Sequence, residues 1–528
     1  MLSATCETFV IATGRPFAFS GKLSWMTPPA LIQIKSAKPP LIEIKASCHE
    51  TSESATMADQ HDTRCNLKQA CDPDRDPPSA YLVDKYGGRV PRYTSYPTAV
   101  NFRPDIGPDQ YESWLAALAP DQPLSLYIHI PFCQNLCWYC GCHTGVARGR
   151  KPIAAYLQTL MKEIELVSET IPHRPQLATL HLGGGSPNML SPSDLASLFT
   201  CLRENFAFDE QAAIAAELDP RSLSSEWIKV AADLGLNRAS LGVQDLDPAV
   251  QAAINRIQPF GMVESSVEAL RREGVTSINL DIVYGLPRQT TRGLTRTIEQ
   301  IVDLKPDRIA LFGYAHVPWM MPRQKLIRDE ELPDARQRYR QQLVAANKLE
   351  EAGYVHIGLD HFVLPTDDLA IAAENGLLRR NFQGYTSDET GTVIGLGASS
   401  ISTLGQGFAQ NVSDIRRWRA EIDKGRLATC RGVALSNEDR FRAHIIQGLM
   451  CDLEIDFVPV LRQWKMPHSL LVPALTGLSE LEADGLLRLS GSVLTVTRLG
   501  RPFLRTICAS FDQYFAGSGK GLRHAQAI

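Results

Sequence analysis

Ser125-Leu-Tyr127-Ile-His129-Ile-Pro131-Phe132-Cys133-Gln-Asn-Leu-Cys137-Trp138-Tyr139-Cys140-Gly-Cys142-His143 joins a short apolar run to four closely spaced cysteines. The run reads as a β-strand that ends before Pro131. Cys133, Cys137 and Cys140 stand at C-x3-C-x2-C spacing. Three such thiolates hold three irons of a four-iron cube and leave the fourth open to a substrate or cofactor. A pure electron carrier closes the cube with four cysteines, and bacterial ferredoxins space theirs differently. Cys142 or His143 as a fourth ligand would instead complete a tetrahedral zinc site, although such sites usually use two separated ligand pairs. Trp138 and Tyr139 inside the loop read either as packing or as a cover that screens the cluster from water.

Outward from this loop, short β-rich runs alternate with amphipathic stretches. Strands are expected over 125–130, 177–182, 213–218, 238–243, 277–283 and 308–312. Helices are expected near 152–170, 191–204, 223–234, 261–273, 290–303 and 334–352. Repeated βα units make a parallel sheet. The fold class is therefore α/β, a partial (β/α)6 TIM-like barrel two units short of eight.

The residues after each strand carry the chemistry. The cysteine loop follows the first and Gly183-Gly184-Gly185-Ser186-Pro187 the second. Glu217-Leu-Asp219-Pro220 closes the third and Gln244-Asp245 the fourth. The fifth carries Asp281 and runs into Tyr284-Gly285-Leu286-Pro287, and the sixth ends in Tyr314-Ala315-His316. In parallel barrels these ends form one mouth, so the loops describe a single site. Glycines let backbone approach a ligand, and their exposed amides can receive a carboxylate. In isolation the glycine run reads equally well as a tight turn.

The chain has 528 residues, enough for two or three domains, with 44% hydrophobic and 21% charged residues. A net charge of -4 gives no field that attracts nucleic acid or an anionic membrane. No apolar run reaches the roughly 18 residues of a spanning helix. Twelve cysteines, scattered except for the knot, suit a reducing and hence cytoplasmic setting. Nothing requires more than a monomer.

Residues 1–75 lack periodicity and are rich in Ser, Thr, Ala, Pro and Lys. They read as a disordered extension, as something like a transit peptide, or as residues upstream of a true start at Met57. An N-terminal segment over 76–120 then precedes the barrel at 121–353. A connecting region over 354–409 holds further candidate strands at 354–359 and 393–396. Residues 410–528 read as mainly helical, with a hairpin around Gly491, an order compatible with a winged helix. Balanced charge there argues for a lid or packing domain over DNA binding.

Together these motifs resemble the radical S-adenosylmethionine (SAM) superfamily. Within it, the residues from Tyr127 to Cys142 resemble the oxygen-independent coproporphyrinogen III oxidases (dehydrogenases) of haem biosynthesis. So do Pro91-Arg92-Tyr93-Thr94-Ser95-Tyr96-Pro97-Thr98, Gly242-Val243-Gln244-Asp245, Asp281-Ile-Val-Tyr284-Gly285-Leu286-Pro287, Asp360-His361-Phe362 and Arg380-Asn381-Phe382-Gln383-Gly384-Tyr385. The resemblance covers about residues 80–515. A haem-chaperone branch is the alternative, but it usually lacks the counterpart of Cys142 and the 91–98 segment. Ser186 stands where the family often has Thr, and Tyr139 where Phe is common.

The resemblance implies that Cys133, Cys137 and Cys140 ligate one [4Fe–4S] cluster. It implies that Tyr127, Gly184, Glu217 and Ile401 contact the SAM on its open iron. A second SAM would touch Tyr139, Gly185, Ser186, Gln244, Arg256, Asp281 and Ala315. Tyr127 and Cys142 are the implied catalytic residues. The implied reaction uses a 5′-deoxyadenosyl radical to decarboxylate two propionates of coproporphyrinogen III, with electrons from a flavodoxin or ferredoxin. Such a substrate brings four carboxylates and an apolar macrocycle, so Arg92 beside Tyr93 and Tyr96, and Arg380 beside Phe382 and Tyr385, are candidate contacts. Replacing Cys142 by Ser is expected to retain iron and to lower turnover. Iron loss on purification would instead make Cys142 a ligand.

Overall fold

All six barrel strands form: β1 (Leu124–Ile130), β2 (Gln176–Gly184), β3 (Ala207–Leu218), β4 (Arg238–Gln244), β5 (Ser277–Tyr284) and β6 (Arg308–Gly313). They pair in parallel in that order in a computed structural model of the chain, which describes residues 77–517 and Gln526. The expectations for residues 1–75 lie outside the described residues. The intervening helices are α1 (Arg150–Thr170), α2 (Pro192–Asn205), α3 (Ser225–Asp233), α4 (Phe260–Arg272) and α5 (Thr291–Asp303), with α6 (Ala335–Glu351) after β6. Their starts follow local chemistry. Ser191 with Asp194, and Asp334 with Gln337, close reciprocal caps on α2 and α6. Between β4 and α4 the sequence reading missed the six-residue helix Pro248–Ala253 that Asp247 caps.

The barrel stays open, and both edges are extended. Val393–Leu396 adds in parallel to β1, followed by antiparallel Ile401–Leu404, Gly407–Asn411 and Thr429–Ala434. His361–Val363 adds antiparallel to β6, and Val355–Ile357 follows it. The large sheet thus runs on to Ala434, past residue 410 where the helical part was expected to begin. Short strands with few residues to alternate leave little periodicity to read.

A full TIM barrel fills its interior with layers of branched side chains. Here the inward positions are small or polar. Ser125 and Tyr127 of β1, Thr179 and His181 of β2, Ala213 and Ala215 of β3, and Ser240 and Asn279 of β4 and β5 leave a lumen of ≈ 340 Å³. Along β3 the alternate residues Ala212, Ile214, Ala216 and Leu218 are buried. The apolar core therefore lies outside the strands, under the helices, and the inside is free for ligands.

The last part of the chain holds helices Asn437–Asp452, Phe457–Trp464 and Val472–Ala483. Its hairpin, Leu487–Ser490 with Val493–Val496, turns at Gly491, where φ is +62°. Glu454–Asp456 adds a third strand to that hairpin. This part shares one apolar core with the N-terminal segment, where Leu82, Val83, Tyr93 and Tyr96 pack among Phe441, Leu449, Phe503 and Phe511.

One buried carboxylate ties the added strands to the barrel. Glu163 of α1 accepts from the Gly397 amide at 2.6 Å, Asn411 Nδ2 at 2.6 Å and Trp418 Nε1 at 3.1 Å. Burial raises its carboxyl to about 7 in spite of these donors. Replacing Glu163 by Ala leaves the Gly397 amide and Trp418 Nε1 without an acceptor, while Asn411 keeps Gly397 O and Ser400 Oγ, and should cost roughly 2 kcal/mol or more. Chemical denaturation of the purified variant measures that loss.

Candidate active site

Three strand ends meet beneath the cysteine loop, and backbone contact brings them there. The Gly185 amide donates to Ile130 O at 2.8 Å, and the Ser186 amide to Phe132 O at 2.8 Å. The glycine run thus hydrogen-bonds directly to the residues that enter the cysteine loop. No side chain would fit along it. A Cβ on Gly183 would lie 2.9 Å from Glu217 and Tyr127, and one on Gly184 would lie 2.6 Å from the His129 ring. Gly184 also has φ +110°, a left-handed conformation that glycine alone adopts readily. The far side of the loop is anchored by Trp138 N to Ile254 O at 3.0 Å and Asn255 Nδ2 to Leu136 O at 2.9 Å. Both partners follow the unexpected helix Pro248–Ala253. Trp138 and Tyr139 pack against an apolar group that includes Ile254, Leu286 and Ile327.

Cys133, Cys137, Cys140 and Cys142 line one cavity of ≈ 150 Å³. Donors point at the sulfurs. Cys137 Sγ accepts from Arg221 Nη2 at 3.4 Å and Arg256 Nη1 at 3.4 Å. Cys140 Sγ accepts from the Cys142 amide at 3.3 Å. Cys133 Sγ accepts from Ser186 Oγ at 3.7 Å and lies 3.2 Å from Thr144 Oγ1. Such donors favour thiolates, the form that binds iron, and tune a cluster's potential. The Cys140 thiol is drawn down by its contact with Cys142, and Arg323 and Arg256 add to this. Among the described residues no three His, Cys, Asp or Glu side chains converge to hold a single metal ion. The thiols of Cys133, Cys137 and Cys140 with donors at their sulfurs fit the thiolate ligation of an iron–sulfur cluster.

The carboxylates beside this cavity differ in state. Glu217 accepts from the Gly184 amide at 3.1 Å and pairs with His181 Nε2 at 3.0 Å. Burial pushes its carboxyl up, but His181 and the amide bring it below its ordinary value. Asp281 accepts from Ser240 Oγ at 3.0 Å and Asn279 Nδ2 at 2.8 Å, and burial raises it to about 6. His129 Nε2 meets His143 O at 2.9 Å, so that nitrogen carries the proton and Nδ1 accepts from the Tyr127 hydroxyl at 3.1 Å. Burial lowers the basicity of His129 and raises the Tyr127 phenol, so both are neutral.

Most of the expected site residues come together. Tyr139, Gly184, Gly185, Ser186, Glu217, Gln244, Arg256 and Asp281 share the cavity with the cysteines. Tyr127 lines the adjoining lumen, which shares Glu217 and Asp281. Gln244 has φ +71°, a strained value that aims it inward at the end of β4. Ala315 lies at the rim, where Gln324 Nε2 donates to both Ala315 O and Tyr139 O. Ile401 lines neither cavity and stands on the strand beyond Val393–Leu396.

Arg256 makes the buried ion pair that a sequence alone leaves open, with both nitrogens 3.3 Å from Asp219. Its Nε has no hydrogen-bond partner. His129, His181, Arg221 and Arg323 belong to the site and went unassigned. Tyr127 and His129, two apart on one strand, necessarily share a face, and that spacing was the available signal.

The aromatic candidates for substrate contact have structural duties. Tyr93 donates to Asp512 at 3.0 Å, Tyr96 accepts from the Gln513 amide at 3.2 Å, and Tyr385 donates to Met450 O at 2.7 Å. Phe382 packs edge-on against Phe408. The arginines stay available. Desolvation lowers the basicity of Arg92, whose side chain still reaches solvent. Arg380 stacks on Tyr385 at 4.5 Å and lies 3.6 Å from Asp360.

Residues 127–301 match the family model of the radical SAM superfamily. The oxygen-independent coproporphyrinogen III oxidase of Bradyrhizobium diazoefficiens is 44% identical over 450 residues, 85% of this chain and 100% of that protein. Its counterpart in Pseudomonas aeruginosa is 41% identical over 439 residues, 82% of this chain and 95% of that protein. The solved structure of coproporphyrinogen III oxidase (HemN) from Escherichia coli, a radical SAM enzyme, matches with a TM-score of 0.78 at 37% identity. The match covers 82% of this chain and 98% of that one. An open parallel barrel with a three-cysteine loop at its mouth thus defines a radical SAM protein. Within that superfamily the chain belongs to the oxygen-independent coproporphyrinogen III oxidases, and the oxidase reading holds over the haem-chaperone one.

Because Asp281 gains its charge near pH 6, the pocket should hold the cationic SAM more tightly above that value. Calorimetric titration on either side of it should show affinity falling as the solution is acidified. The Asp281→Asn variant should bind more weakly and lose that pH dependence.

Proposed function

We propose that this chain decarboxylates two propionate side chains of coproporphyrinogen III oxidatively and without oxygen, leaving vinyl groups and giving protoporphyrinogen IX. The observation that carries this reading is the convergence of three thiols, the glycine run and Glu217 at one barrel mouth, in a chain that aligns over 85% of its length with a named oxidase. Cys133, Cys137 and Cys140 would hold a [4Fe–4S] cluster. Cluster and SAM together would supply the radical chemistry that removes a hydrogen atom from each reacting propionate.

The chain's own residues do the rest. Glu217, kept ionised by His181 and the Gly184 amide, meets a cationic group such as an ammonium. Tyr127 and Gly184, beside it, shape the same binding space. Glycines 183–185 let a ligand lie flat against backbone. Tyr139, Gly185, Ser186, Gln244, Asp281 and Arg256 line the remaining wall, where a second SAM would sit, with Ala315 at its rim. The free Nε of Arg256 is its donor toward a carboxylate. Cys142 is accessible at the mouth and would act on the substrate side of the cluster. Trp138 and Tyr139 pack the loop against the apolar group around Ile254 and Leu286. The one-electron donor would be a flavodoxin or ferredoxin. The protein would work as a cytoplasmic monomer. No helix among the described residues is long and apolar enough to cross a membrane.

Anaerobic turnover tests this. The reconstituted enzyme is given dithionite, SAM, coproporphyrinogen III and an electron acceptor. Mass spectrometry should find 5′-deoxyadenosine and a porphyrin product lighter by two CO2. Deoxyadenosine with untouched coproporphyrinogen would move the assignment to another substrate.

A further inference from the structure

Four arginines from distant parts of the chain gather around the C-terminal end of β6. Arg92 Nη2 donates to Gly313 O at 3.3 Å, and Arg338 Nη2 to the next carbonyl, Tyr314 O, at 2.8 Å. Arg505, on the helix Leu504–Ala509, donates through Nη2 to Gln526 O at 2.5 Å. Arg338 Nη1 donates to the side-chain Oε1 of the same Gln526 at 3.3 Å. One residue therefore reaches both guanidiniums with two oxygens, and the two must open on the same space. Arg380 completes the group through Asp360, whose amide-linked carbonyl accepts from Leu311 of β6 at 2.8 Å.

The chemistry of this group is that of a carboxylate receptor. Arg92, Arg380 and Arg505 all draw on one carboxylate, Asp360. Arg338 keeps a buried Nε with no hydrogen-bond partner. Burial, with like charge nearby, lowers the basicity of Arg92, Arg338 and Arg505, the last to about 9. Assembling guanidiniums in a desolvated place is unfavourable unless anions arrive to pair with them. Through Gly313 O and Tyr314 O, Arg92 and Arg338 stand at the C-terminal end of β6, the same end of the barrel as the cysteine loop.

We infer that Arg338 and Arg505 clamp the two propionate carboxylates that the reaction leaves intact, with the two oxygens of Gln526 marking where carboxylate oxygens sit. This rests on the coproporphyrinogen reading above. Two of the four propionates are consumed and two persist from substrate through to product. A clamp on the persistent pair can stay closed through both decarboxylations, and it keeps those arms away from the reacting centre. It determines which side chains react by holding the ones that do not.

Fluorescence titration of the cluster-loaded enzyme with redox-stable porphyrins tests the clamp. Mesoporphyrin IX carries only the two retained propionates, and its dimethyl ester carries neither charge. The wild-type enzyme should prefer the acid. R338Q and R505Q should each weaken acid binding about tenfold or more while leaving ester binding unchanged. R338K should restore part of the loss. Equal weakening of acid and ester would overturn the clamp in favour of a structural role, as would undiminished acid binding. Failure of the wild type to bind any of these porphyrins, coproporphyrin III included, would overturn the substrate reading and the clamp together.

Discussion

The site depends on backbone lying where side chains would normally stand. Gly183, Gly184 and Gly185 run so close to Tyr127, His129, Phe132 and Glu217 that a methyl group at any of them would collide. That approach lets the Gly184 amide reach Glu217 and the next two amides reach carbonyls at the entrance to the cysteine loop. The loop is therefore held by main-chain hydrogen bonds.

A second consequence follows from where the apolar core lies. In β3 the buried alternate residues leave Ala213, Ala215 and Glu217 facing inward. A hollow barrel must be stabilised from outside, and here the helices do so, with Glu163 fastening the added strands to α1. The lumen is then free to be polar, and the cluster cavity joins it through Glu217 and Asp281.

The segment around Tyr93 and Tyr96 packs with the C-terminal part of the described residues. Tyr93 and Tyr96 spend their hydroxyls on Asp512 and Gln513, and their rings belong to the C-terminal core. These contacts hold Arg92 and Arg505 in reach of a barrel to which neither residue's segment belongs. The aromatic residues beside the arginines are thus the frame that positions their guanidiniums.

The sequence by itself determined the class of this protein. Six βα periods, C-x3-C-x2-C after the first strand and glycines after the second are local features, and local spacing is what a sequence records. Cys133, Cys137, Cys140, Gly184 and Glu217 were legible for that reason, since each ends or follows a strand, and Asp281 because it interrupts an apolar one. Only the tertiary structure decided the rest. That Arg256 pairs with Asp219, that His129 takes its tautomer from the His143 carbonyl, and that Arg338 and Arg505 meet through Gln526 are contacts between residues far apart in the chain. Isolated arginines and histidines carry no periodicity and look alike on a surface and in a site. Burial, which raises the cost of an unpaired charge, is what distinguishes them, and burial exists only once the chain has folded.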